Sequence, residues 1–151
     1  PTCVKSRTGY VILLGGCPII WSSKLQSTIA LSTTEAEYIA LAQSMRQLLP
    51  MKELLREMAI NLGRESEFSV RTKSTVFEDN NGALHLSQGE APRMTPRSKH
   101  IAVVYHWWRY HVERKATEVI KVDTKDQQAD ILTKGLARPQ FEALRKLMMG
   151  W

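Results

Sequence analysis

The sequence predicts a single layered domain over residues 1–151, α/β or α+β, with a mixed β-sheet. Three observations lead there. Two apolar, β-branched runs at 8–14 and 18–23 are separated by Gly15, Gly16 and Cys17, the pattern of a β-hairpin. A helical signal follows, with Tyr38, Leu41, Met45 and Leu48 recurring at three- and four-residue spacing. Beyond it, strand-like runs at 74–78 and 118–122 alternate with helical stretches. A chain of 151 residues that is 43% hydrophobic has the size of one domain with a real core, and its composition argues against disorder.

The elements follow in order. Ser32, Thr33 and Thr34 precede the first helix, and two capping boxes compete there: Ser32 with Glu35, and Thr34 with Glu37. Pro50 is expected to interrupt that helix, leaving 51–62 as a second one that Gly63 ends. The polar stretch 64–73 reads as a loop. The strand at 74–78 turns through Asp79, Asn80, Asn81 and Gly82 into a short helix at 83–87. The stretch 89–96, with two prolines, reads as a loop, and 98–115 as a long basic helix. Helices are expected at 127–134 and 139–149, after the strand at 118–122.

Several classes are disfavoured. The apolar runs 11–14 and 101–105 are far shorter than the roughly 18 residues a membrane span needs. Cys3 and Cys17 cannot build a disulfide scaffold, and no charged-then-apolar leader opens the chain. The expectation is therefore an intracellular protein, not a secreted one. His100, His106 and His111 lack the four-residue spacing of a helical zinc pair.

The net charge of +6 is unevenly spread. Residues 1–33 contain no acid, whereas 93–115 hold Arg93, Arg97, Lys99, Arg109, Arg114 and Lys115 against Glu113 alone. Aromatic residues and His100 interleave with these bases. Such a stretch suits a polyanion, or it is an ordinary solvated helix face.

Three carboxylates stand out, each with an ordinary alternative. Asp79 directly follows a strand, where open α/β sheets carry their ligand sites, or it caps and shapes the next turn. Glu37 lies in the first turn of a helix, where a carboxylate is favourable anyway. Asp130 lies in 127–134, or simply shares a solvated face with Asp126 and Lys134. Were the three to converge, they would suit magnesium and the two-metal hydrolysis of a phosphodiester.

The motifs around these residues resemble the ribonuclease H domain at the end of the Pol polyprotein of copia-type LTR retrotransposons. The likeness rests on Ser6-Arg7-Thr8-Gly9-Tyr10-Val11, Leu14-Gly15-Gly16 and Ile20-Trp21-Ser22-Ser23-Lys24. It continues through Ala30-Leu31-Ser32-Thr33-Thr34-Glu35-Ala36-Glu37-Tyr38 and Glu78-Asp79-Asn80-Asn81-Gly82-Ala83. It ends with Lys99-His100-Ile101, Tyr105-His106 and Gln128-Ala129-Asp130-Ile131-Leu132-Thr133-Lys134. The resemblance implies a ribonuclease H-like fold, a five-stranded mixed sheet flanked by helices. It implies two Mg²⁺ ions, with Mn²⁺ as a substitute, and cleavage of the RNA strand of an RNA–DNA hybrid. Glu37, Asp79 and Asp130 match the second, third and fourth catalytic carboxylates.

The family's first carboxylate is an Asp on a central first strand, upstream of the Ser6-Arg7-Thr8-Gly9 motif. Residues 1–33 contain no Asp or Glu, so both that Asp and its strand are expected to be absent from this chain, leaving a gap in mid-sheet. The resemblance also lacks a His in 122–128, where related cellular enzymes carry a histidine loop.

Two kinds of function follow. One is a ribonuclease H of a reverse-transcribing element, joined to a reverse transcriptase domain or an upstream Pol segment. It would act in a cytoplasmic virus-like particle or the nucleus. Its hybrid would be held by Arg93, Arg97, Lys99, His100, Arg109, Arg114 and Lys115. The other is a catalytically inactive nucleic-acid-binding or assembly module, including one whose self-association fills the missing strand.

Overall fold

The computed structural model describes residues 5–88, 107–114 and 117–151. Strand β1 (Arg7–Leu14) pairs antiparallel with β2 (Cys17–Leu25), with a register shift between Ile12 and Leu13. Gly15 and Gly16 connect them at φ 58° and 83°. Two successive left-handed residues match the twist of a hairpin, and glycine adopts that backbone without steric cost.

Helix α1 (Thr33–Asn61) runs 29 residues straight through Pro50, where the sequence predicted a break. Proline there removes one backbone bond, but the turns around it are held by packing. Tyr38, Leu41, Ala42 and Met45 are in the core, and Leu48 and Leu49 pack against it. Tertiary contacts of this kind outweigh the local preference of one residue. The polar stretch at 64–73, expected as a loop, contains a short helix, α2 (Glu65–Arg71).

Strand β3 (Thr75–Glu78) leads into α3 (Asn81–Gln88) and pairs in parallel with β4 (Glu118–Lys121). Of the long basic helix expected at 98–115, only α4 (Arg109–Glu113) falls within the described residues. The helix expected at 127–134 is instead a pair of 3₁₀ turns, Thr124–Asp126 and Gln128–Leu132. The chain then forms α5 (Arg138–Met149), with Pro139 in its first turn. Among the described residues, no helix is long and apolar enough to cross a membrane.

The fold is mixed α/β, and among the described residues the strands form two two-stranded sheets in place of one continuous sheet. Between them lies a groove of about 500 Å³. One wall is β1, from Gly9 to Leu14; the other is β3; the floor is α1 through Leu41, Leu48 and Leu55. The β3 edge is partly served. Glu118 and Val122 donate their backbone N–H to Ser74 and Glu78 carbonyls, so strand alternation turns the Phe77 carbonyl the other way. There the Gln127 amide donates to it at 3.1 Å.

The core cluster is small and sits on one side. Tyr38, Leu41, Ala42 and Met45 of α1 meet Ala83, Trp108 and Val119, with the Tyr38 and Trp108 ring centroids 5.6 Å apart.

Candidate active site

Glu37 reaches the groove because a neighbour does the capping. Ser32 Oγ accepts from the Glu35 N–H at 3.1 Å, and the Glu35 carboxylate accepts from the Leu31 N–H at 2.8 Å. The Ser32–Glu35 pair has thus taken the role open to Thr34 and Glu37. The start of α1 is anchored by buried Gln26, whose amide donates to the Ala36 carbonyl at 2.8 Å and to Thr8 Oγ1 at 3.2 Å.

Asp79 stands at the carboxyl end of β3, and Asn80 relieves it of turn duty. Asn80 Oδ1 accepts from the Ala83 N–H at 3.0 Å, capping the start of α3, and from Thr34 Oγ1 at 3.3 Å. The second bond ties the Asp79 turn to the first turn of α1, which carries Glu37. Glu78 accepts from the Asn80 N–H at 2.9 Å, and Lys121 donates to the Asp79 carbonyl.

Asp130 is 5% exposed, so it does not lie on a solvated face. Its 3₁₀ turn is pressed onto β1 at Gly9. A Cβ on Gly9 would stand 2.4 Å from Thr133 Cγ2 and 3.0 Å from Leu132 Cβ, so the close approach requires glycine. Ser23 Oγ donates to the Leu132 carbonyl at 2.5 Å from the neighbouring strand. Lys134 Nζ lies 2.8 Å from each carboxylate oxygen of Asp130.

Glu37, Glu78, Asp79 and Asp130 all line the groove. The Glu37 carboxyl is raised from its ordinary range by burial, then by the charges of Asp79 and Asp130, with Lys134 opposing. Asp130 is raised by burial and the charge of Asp79, against the hydrogen bond and charge of Lys134. Burial also pushes Glu78 up to about 7. The three predicted carboxylates therefore feel one another across one groove. Glu78 joins them unpredicted; the signal that could have found it was its position beside Asp79 at the buried end of a strand.

Oxygen donors of this kind suit a hard divalent cation. The set is nevertheless incomplete: among the described residues, no three His, Cys, Asp or Glu side chains stand close enough together to hold a metal ion.

The basic segment divides. Arg93, Arg97, Lys99, His100 and Lys115 lie outside the described residues. Arg114 is exposed, its guanidinium 4.5 Å from the Tyr110 ring centroid. Arg109 departs from the expected solvent-facing contact. It is 5% exposed because α4 turns it inward beside Trp108, within the field of Tyr38.

The chain's homologues are retrovirus-related Pol polyproteins from plant transposons. It is 38% identical over 144 residues to that of transposon TNT 1-94 of Nicotiana tabacum, covering 95% of this chain and 10% of the relative. It is 39% identical over 137 residues to that of transposon RE1 of Arabidopsis thaliana, covering 91% of this chain and 9% of the relative. The chain thus spans about a tenth of the length of these relatives. The likeness supports an origin in a reverse-transcribing element. No family model and no solved structure matches the chain.

Proposed function

We propose that this chain is a ribonuclease H-type domain of a reverse-transcribing element, with the ribonuclease H-like fold, hydrolysing the RNA strand of RNA–DNA hybrids. One observation carries the reading: Glu37, Asp79 and Asp130 come from three separate elements and share one groove and one electrostatic field. The Pol polyprotein relatives support the same biological setting. Magnesium, or manganese in its place, would supply charge neutralisation and an activated water when bound as two ions. Its protein ligands would be Glu37, Asp79 and Asp130, together with a carboxylate these residues do not provide.

The groove between β1 and β3 suggests the source of that missing ligand. An extended segment from an upstream Pol region would bridge the two half-sheets by backbone hydrogen bonds and bring a carboxylate beside the other three. A second copy of the chain is another route to the same pairing. The reverse transcriptase domain is the natural covalent neighbour, and the site of action is inside the cell, in a cytoplasmic particle or the nucleus. Phosphates would be held by Arg93, Arg97, Lys99, His100, Arg114 and Lys115, with 2′-hydroxyl contacts and duplex shape selecting RNA. Arg109, buried, is left out of that set.

The test is a hybrid-cleavage assay on a chain extended into its upstream region. Magnesium-dependent cutting that EDTA stops and Asp79→Asn abolishes is the expected result. A second reading, an inactive nucleic-acid-binding or assembly module, is favoured by the incomplete ligand set among the described residues. Its signature is hybrid binding that weakens steeply with salt, and further with Arg114→Glu, without cleavage by the extended chain.

A further inference from the structure

A cation is clamped onto one of the groove's carboxylates. Lys134 Nζ is 2.8 Å from both Asp130 oxygens, a two-point clamp on a carboxylate that is 5% exposed. The clamp is built into the backbone. Lys134 and Thr133 both donate their N–H to the Asp130 carbonyl, at 3.0 and 3.1 Å, fixing the turn from which the lysine reaches back. That turn is in turn seated on Gly9 and bonded to Ser23. The charge of Lys134 also reaches Glu37 and Asp79. The nearby Lys121 is engaged differently, donating to the backbone carbonyl of Asp79.

We propose that Lys134 is a positioning residue, the resident counter-cation that holds the buried Asp130 carboxylate in place when no divalent ion is bound. A buried carboxylate without a partner is costly, and several sharing one groove repel one another. The ammonium offsets both effects. It also contacts the same Asp130 oxygens that a divalent ion would use, so an ion entering the groove must displace or share this contact. Asp130 is thereby held in the groove before any ion is bound. The inference uses the groove of the proposed nuclease but not its reaction.

The test reads melting, so its failure is distinct from a failure to cleave. Wild type, Lys134→Gln, Lys134→Arg and the double variant Asp130→Asn/Lys134→Gln are melted in EDTA. Lys134→Gln should melt roughly 3 °C or more below wild type in EDTA, from the loss of a partly buried pair. Lys134→Arg should stay near wild type. The double variant should regain stability without metal, because the uncovered charge is gone. A Lys134→Gln protein that melts with wild type in EDTA overturns the proposal. So does a loss that Asp130→Asn does not recover, since that would mark Lys134 as a packing residue alone.

Discussion

The two half-sheets border the same groove but are held by different forces. β1 and β2 are neighbours in sequence, joined by Gly15 and Gly16, and their pairing is antiparallel and local. β3 and β4 pair in parallel across an intervening stretch that contains α3 and α4. The β3–β4 half is packed under α1 by Ala83, Trp108 and Val119, each at most 1% exposed. The hairpin leaves Trp21 65% exposed and is tied down in part by polar contacts, through Gln26 to α1 and through Ser23 to the Asp130 turn. One half thus carries the core and the other carries the clasp on the site. Local opening should therefore be easier in the hairpin than around Trp108.

Two tryptophans give the largest contrast. Trp108→Ala, at 0% exposure, should cost about 3–5 kcal/mol and lower Tm by roughly 10 °C. Trp21→Ala should change stability by no more than about 0.5 kcal/mol. Thermal melts of both variants decide this, and equal losses would erase the distinction between the two halves.

The second contrast is in pH. Glu78, at the end of β3, is pushed up to about 7, chiefly by burial, while the Asn80 N–H pulls the other way and Glu37 and Asp79 add repulsion. The folded state therefore keeps a proton that the unfolded chain, with an ordinary value of 4.5, has already released. The stabilisation is complete below about pH 4.5 and is lost as pH rises through 7, amounting to about 3 kcal/mol at most. Glu37 and Asp130 are raised too and act in the same sense. Urea unfolding across this range should show stability falling with pH. Glu78→Gln should flatten the slope and raise stability at neutral pH, since its side-chain carbonyl can still accept from Asn80.

The smallest of the three effects is on the clasp. Gly9→Ala should cost about 1–3 kcal/mol, because the new methyl overlaps Thr133 and pushes the Asp130 turn off β1. Denaturant midpoints give the loss, and chemical shifts of 128–134 should move more than those around Trp108. A variant as stable as wild type would mean that the turn is not seated as described.

Much of this was readable in advance where the signal is local. The Gly15–Gly16 hairpin, the Ser32 start of α1 and the strands at 74–78 and 118–122 depend on neighbouring residues, and they form close to where expected. Pro50 misled because the packing of Met45, Leu48 and Leu49 comes from distant elements. The 3₁₀ turn at 128–132 escaped because seating on Gly9, a contact with β1, shapes it. At the site, Glu37, Asp79 and Asp130 were each legible as candidates but ambiguous alone. The ordinary alternatives weaken only in three dimensions, where Glu35 caps α1, Asn80 caps α3, and Asp130 is buried. Arg109 shows the reverse: a basic residue in a basic stretch, turned inward by a helix whose orientation the charge pattern does not encode.

The central claim is that the groove between β1 and β3 gathers three carboxylates of a nuclease site that a further strand completes. The most direct measurement compares the 151-residue chain with one extended into its upstream Pol region, in magnesium-dependent hydrolysis of an RNA–DNA hybrid. The account predicts that the short chain cuts poorly or not at all and that the extended chain cuts and also melts at a higher temperature. If the short chain already cuts at the rate of the extended one, the four-carboxylate completion is wrong for this protein.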